Sequence, residues 1–218
     1  TTSSTDFPGT DDFAAQPDLG GARDGFISNM NAGLSVQRKA TYFGGSNSET
    51  GGTLSINPTT GDVYLVGNTI STDIPGTTGG AQVDNAGDMD VYIARHSADL
   101  STLLQATYVG GSSRDMGYGV GIDPLTDEVY VTGLTWSGNF PTWTGPVPAA
   151  QPNHGGGNQD GYVVRLDGTL AATGAPDIDV NPLSVDFGAT EVETFVDKHM
   201  LIANTGAEDL SVSAISLS

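Results

Sequence analysis

The chain has no cysteine. That excludes disulfides, cysteine-ligated zinc and thiol nucleophiles, and it leaves the redox compartment open. Basic residues are scarce: 7 Lys and Arg stand against 26 Asp and Glu, a formal charge of −19. A surface of that sign repels nucleic acid and anionic lipid and attracts cations, so no nucleic-acid partner is expected. No apolar run approaches the roughly 20 residues of a membrane-spanning helix, so no transmembrane segment is expected. Catalytic signatures are missing too. His96, His154 and His199 form no H-E-x-x-H pair, no G-x-S-x-G elbow occurs, and Lys39 and Lys198 lie in no phosphate loop. Gly117-Tyr118-Gly119-Val120-Gly121 lacks the last glycine of a dinucleotide loop and falls within an expected strand. The chain reads as a non-enzyme.

What the chain has in abundance is glycine, 31 residues of it. Short runs of Val, Ile, Tyr and Thr sit between clusters of Gly, Asn, Asp and Pro. This is the pattern of an all-β protein with many turns.

The runs repeat. "TYFGGS" at 41–46 returns as "TYVGGS" at 107–112, 66 residues on. At the same offset Gly51 meets Gly117, Ile56 meets Ile122, Val63-Tyr64-Leu65-Val66-Gly67 meets Val129-Tyr130-Val131-Thr132-Gly133, and Pro75 meets Pro141. "STDFPGT" at 4–10 matches "STDIPGT" at 71–77. "RDGFISNM" at 23–30 matches "MDVYIARH" at 89–96 and "QDGYVVRL" at 159–166. Self-similarity of this kind marks a solenoid, propeller or array. Each unit contains four expected strands, typified by 117–123, 128–135, 161–167 and, from the preceding unit, 103–109. Several are apolar on both faces, which suits stacked sheets. Four-stranded sheets repeated radially are β-propeller blades. Residues 1–170 are therefore expected to form blades of an incomplete ring, two to three repeats of about 66 residues. Tyr42 and Tyr108 are expected at blade boundaries. Gly44-Gly45 and Gly110-Gly111 are expected to adopt backbone angles that other residues resist.

The ordered motifs "TYFGGS", "VYLVGNTISTDIPGT" and "DVYIARH" resemble the bacterial and archaeal seven-bladed β-propeller (SBBP) repeat. The resemblance implies a secreted or surface-attached propeller within a long multidomain protein, with no defined activity and no catalytic residues. From residue 176 the text changes. "PDIDVNPLSVDFG" (176–188) and "IANTGAEDLSVSAISLS" (202–218) are similar to the start of an immunoglobulin-like β-sandwich of the ASH type, also seen in choice-of-anchor surface proteins. Residues 171–175 read as the linker and 176–218 as a partial Ig-like domain. A closed propeller has about 4–8 blades and a whole sandwich about 100 residues. The chain thus reads as an excerpt of a longer one. The rival expectation is assembly in trans, with open strand edges pairing between chains.

Candidate site residues are few. Asp24, Asp90 and Asp160 recur just before the third strand. A short acid there can accept backbone N–H bonds and fix a turn. The alternative is one carboxylate per blade holding Ca²⁺ in a central channel. Asp177-x-Asp179-x-Asn181 reads as a solvent-facing strand, not a calcium loop. His154 and Asp160 flank a Gly-rich loop. Trp136 aligns with Ile70 and is expected in the core; Trp143 aligns with Thr77 and is the candidate platform for a sugar or a protein partner. The expected role is a non-catalytic structural or adhesive scaffold at the extracellular or cell surface of a prokaryote. Its expected partners are other protein chains or surface glycans. The alternatives are a glycan- or cation-binding propeller, or an enzyme whose site lies in further blades.

Overall fold

Unbroken apolar runs need cover on both faces, and the fold supplies it by stacking sheets. The computed structural model describes residues 1–11, 13–141, 149–171, 178–181 and 201–204. Trp143, Asp177 and most of 171–175 and 176–218 lie outside the described residues. The chain divides into two compact units. All described regular structure is antiparallel β.

The first unit holds three sheets in chain order. The first pairs β1 (Gly25–Met30) with β2 (Gln37–Phe43). The second is a four-stranded meander of β3 (Glu49–Ile56), β4 (Val63–Thr69), β5 (Asp90–His96) and β6 (Leu103–Val109). The third contains β7 (Asp115–Ile122), β8 (Val129–Thr135) and β9 (Asp160–Leu166). These are the expected strands at the expected places. The second sheet is a whole blade, the first is the back half of one, and the third is three strands of another. In the second unit, β10 (Ile178–Asn181) pairs with β11 (Leu201–Asn204). Among the described residues no helix is long and apolar enough to cross a membrane.

Every residue of β4 is buried, as befits the middle of a stack. One core cluster joins Ile27 and Phe43 of the first sheet to Leu65, Tyr92, Ala94 and Tyr108 of the second. On the other side, the Gly117 Cα lies over Val66 and Val91. Backbone bonds also cross between sheets: Glu49 N donates to Arg23 O at 2.7 Å, and 66 residues on Asp115 N donates to Met89 O at 2.7 Å.

The two repeated tyrosines each do two jobs. Tyr108 is fully buried in the shared cluster. Its hydroxyl accepts from Ile74 N (3.0 Å) and donates to Ser71 O (3.1 Å), which pins the "STDIPGT" loop. Tyr42 does the same to the earlier loop, accepting from Phe7 N and donating to Ser4 O, both at 2.8 Å. Gly9 (φ 80°) and Gly76 (φ 77°) turn those loops in the left-handed region. The loops then run along the last strand of their own sheet. Ala40 N donates to Gly9 O and Tyr42 N to Gln16 O; Ala106 N donates to Gly76 O and Tyr108 N to Gln82 O. The outer edges of β2 and β6 are thus covered by their own loops, and a strand edge so covered offers no ladder to another chain. Only three strands are described in the third sheet, so β9 keeps a free edge among the described residues. Trp136 is also corrected: it is half-buried, with the Arg114 guanidinium 5.7 Å from its ring.

Tyr108→Phe should cost about 1–3 kcal/mol, because it strands the buried Ile74 N–H. Urea unfolding measures this, and Tyr118→Phe, at an exposed ring, is the control that should change little.

Candidate functional site

The three aspartates that recur before the third strand do not share one environment. Asp24 is fully buried. It accepts from Gln16 Nε2 (2.9 Å), Gly20 N (2.8 Å) and Gly21 N (3.3 Å). Asp90 is likewise buried and accepts from Gln82 Nε2 (3.0 Å) and Ala86 N (2.8 Å). Asp160 is half-buried, accepts from Gly155 N and lies 3.5 Å from His154 Nδ1. All three accept backbone N–H bonds from the turn that leads into the third strand.

The structure adds partners that sequence reasoning missed. Glu49 and Asp115, the first residues of β3 and β7, occupy equivalent repeat positions and are both fully buried. Glu49 accepts from Thr69 Oγ1 (2.6 Å) and Ser71 Oγ (2.7 Å). Asp115 accepts from Ser137 Oγ (2.8 Å) and Gly111 N (2.7 Å). At each junction between sheets a carboxylate from the earlier sheet therefore meets one from the later: Asp24 with Glu49, Asp90 with Asp115. Both pairs crowd one glycine. A Cβ on Gly44 would lie 2.6 Å from Asp24 Oδ1 and would overlap Glu49; a Cβ on Gly110 would lie 2.5 Å from Asp90 Cγ and 2.9 Å from Asp115 Oδ2. The Gly-Gly phrase is thus explained differently from the sequence expectation. None of Gly44, Gly45, Gly110 and Gly111 has a positive φ. They are glycine because carboxylates, and the side chains of Ser71 and Ser137, fill the space a Cβ needs.

Burial raises the Asp90 carboxyl to about 6, and the nearby Asp115 charge adds to the effect. Asp24 and Glu49 are raised for the same first reason, and Glu49 also feels Asp24. Between these sheets Tyr92 is wholly buried against Phe43, its ring 5.0 Å away. Among the described residues its hydroxyl has no partner, and its pKa is raised by burial and by the Glu49 and Asp24 charges.

Close by, a cleft of about 360 Å³ is lined by Gln16, Phe43, Gly45, Asp73, His96 and Leu103. His96 is fully buried, stands edge-on to Phe43 at 5.8 Å, and among the described residues has no hydrogen-bond partner on either ring nitrogen. Burial lowers its pKa to about 4. Its repeat counterparts are Met30 and Leu166, so the imidazole is a local departure in an apolar position. Among the described residues no group of three or more His, Asp or Glu could hold a metal ion.

Residues 106–141 match the β-propeller repeat (SBBP). The matched stretch runs from the end of β6 through β7 and β8 to the loop beyond, so it spans the Asp90–Asp115 junction from one side. No curated protein matches the chain.

Gly110→Ala should destabilise by about 1–3 kcal/mol through overpacking, whereas Gly121→Ala, whose Cβ would meet nothing within 4 Å, should change stability little; denaturant midpoints compare them. His96 takes up its proton at a lower pH folded than unfolded. The unfolded chain is therefore protonated first, and stability should fall as pH drops from about 6.5 towards about 4. His96→Leu, the residue of the third sheet's equivalent position, should remove that part of the pH dependence in unfolding curves.

Proposed function

We propose that this chain is a non-catalytic structural and interaction module of the extracellular or cell surface of a prokaryote. Its sheets belong to a ring of the seven-bladed kind, followed by an immunoglobulin-like spacer of the ASH type. The observation that carries this reading is a leucine in the turn after each third strand. Leu100 and Leu170 have the left-handed φ of 60° and 66° and are buried, 1% and 0% exposed. The Leu100 carbonyl accepts from Ala15 N of the preceding unit's loop, and the Leu170 carbonyl from Ala81 N, each at 3.0 Å. The third member, Leu34, has the same backbone (φ 52°) and is 73% exposed. At the opposite end of the array Val163 is 72% and Tyr118 55% exposed. Both outer faces are shaped to receive a further blade, whether from the same polypeptide or from another copy. The acidic surface keeps such an array soluble.

Sedimentation of the chain over a range of concentrations tests the reading. Association that Leu34→Asp abolishes, without changing the thermal unfolding of the sheets, is the expected result. A monomer at every concentration that binds no cell-surface glycan overturns it.

A further inference from the structure

Three of the four carboxylates at the sheet junctions leave one oxygen without a partner among the described residues, and the fourth, Asp24, engages its Oδ1 only by a 3.3 Å bond from Gly21 N. Glu49 Oε1 takes both hydroxyl bonds, and Glu49 Oε2 has no partner. Asp90 Oδ2 takes the Gln82 and Ala86 bonds, and Asp90 Oδ1 has none. Asp115 Oδ2 takes Ser137 and Gly111, and Asp115 Oδ1 has none. All three side chains are fully buried. A bare carboxylate oxygen shut away from water is among the costliest groups a protein can hold, unless a positive charge meets it.

Among the described residues no basic side chain does so. The ion pairs among the described residues join Lys39 to Asp11, Arg95 to Asp62, His154 to Asp160 and Arg165 to Glu128. Arg23 and Arg114, which immediately precede Asp24 and adjoin Asp115 in sequence, are exposed. At the first junction a further oxygen is unsatisfied: the buried Tyr92 hydroxyl, 2.6 Å from the position of a Cβ on Gly25, the residue after Asp24. The same arrangement of acids recurs 66 residues on, so it belongs to the repeat and not to one irregular loop.

We propose that each junction between consecutive sheets is a calcium site, in which Ca²⁺ binds the free Glu49 Oε2 and Asp24 Oδ1, whose one bond is the long contact from Gly21 N, at the first, and the free oxygens of Asp90 and Asp115 at the second. The donors are all hard oxygens, the class Ca²⁺ prefers over softer metals. Two carboxylates supply only part of a shell of six to eight oxygens, so main-chain carbonyls and water complete it, and the affinity falls in the range of extracellular modules, about 10⁻⁴–10⁻³ M. The ion ties the third strand of one sheet to the first strand of the next. This goes beyond the scaffold role and stands whether or not the outer faces dock another blade.

The test uses the whole chain, stripped with a chelator and titrated with CaCl₂ by calorimetry and thermal unfolding at neutral pH. Saturable uptake of one Ca²⁺ per junction is expected, with a rise in melting temperature that MgCl₂ at equal ionic strength does not reproduce. Asp115→Asn should lose one of the two ions and Glu49→Gln the other, while Asp88→Asn, at an exposed acid, should bind as the parent does. If one variant fails to fold, the other still reports its own junction. Equal effects of Ca²⁺ and Mg²⁺ would mean general screening of the −19 charge, and uptake unchanged in both junction variants would mean surface binding; either result overturns the proposal.

Discussion

The stack depends on how closely one sheet's exit turn can approach the next sheet's first strand. At Gly44 and Gly110 the backbone lies against two buried carboxylates, with no room for a methyl group. The approach brings Glu49 N to Arg23 O and Asp115 N to Met89 O. Those bonds set the spacing at which Phe43 meets Tyr92 and Gly117 meets Val91. An apolar residue in place of Asp24 or Asp90 would remove the acceptor for turn N–H groups of the loop before the third strand. The junction is therefore polar at one end and apolar across its faces, and the polar end fixes the register of the apolar one.

Much of this fold is legible in the sequence because the repeat prints each strand more than once. A single run such as Val63–Thr69, buried throughout and without alternation over Val63–Val66, is ambiguous between strand and buried helix by periodicity alone. Its recurrence as Val129–Thr135 between the same turn residues removes the ambiguity. The outer-strand cover is not legible. Gly76 and Gln82 reach β6 through backbone groups, which carry no side-chain signature.

The candidate site is half legible. Asp24 and Asp90 stand out because the residue type repeats. Glu49 and Asp115 occupy one position with two different acids, and each is 25 residues from its partner, so only the stacked geometry brings them together. The Gly-Gly phrase is the instructive case. Its recurrence is plain, but glycine serves two purposes, unusual backbone angles and close approach, and sequence cannot separate them. Gly76 is of the first kind and Gly110 of the second.

The leucine turns also order events in time. The loop at Ala81 is completed by the carbonyl of Leu170, 89 residues further along. On a ribosome adding ~5–20 residues per second, that bond partner emerges about 5–20 s after the loop does. Each sheet is thus born with its front loop unfinished and is closed by a later one. Synthesis itself carries a wave of closure along the chain, always one sheet behind the newest.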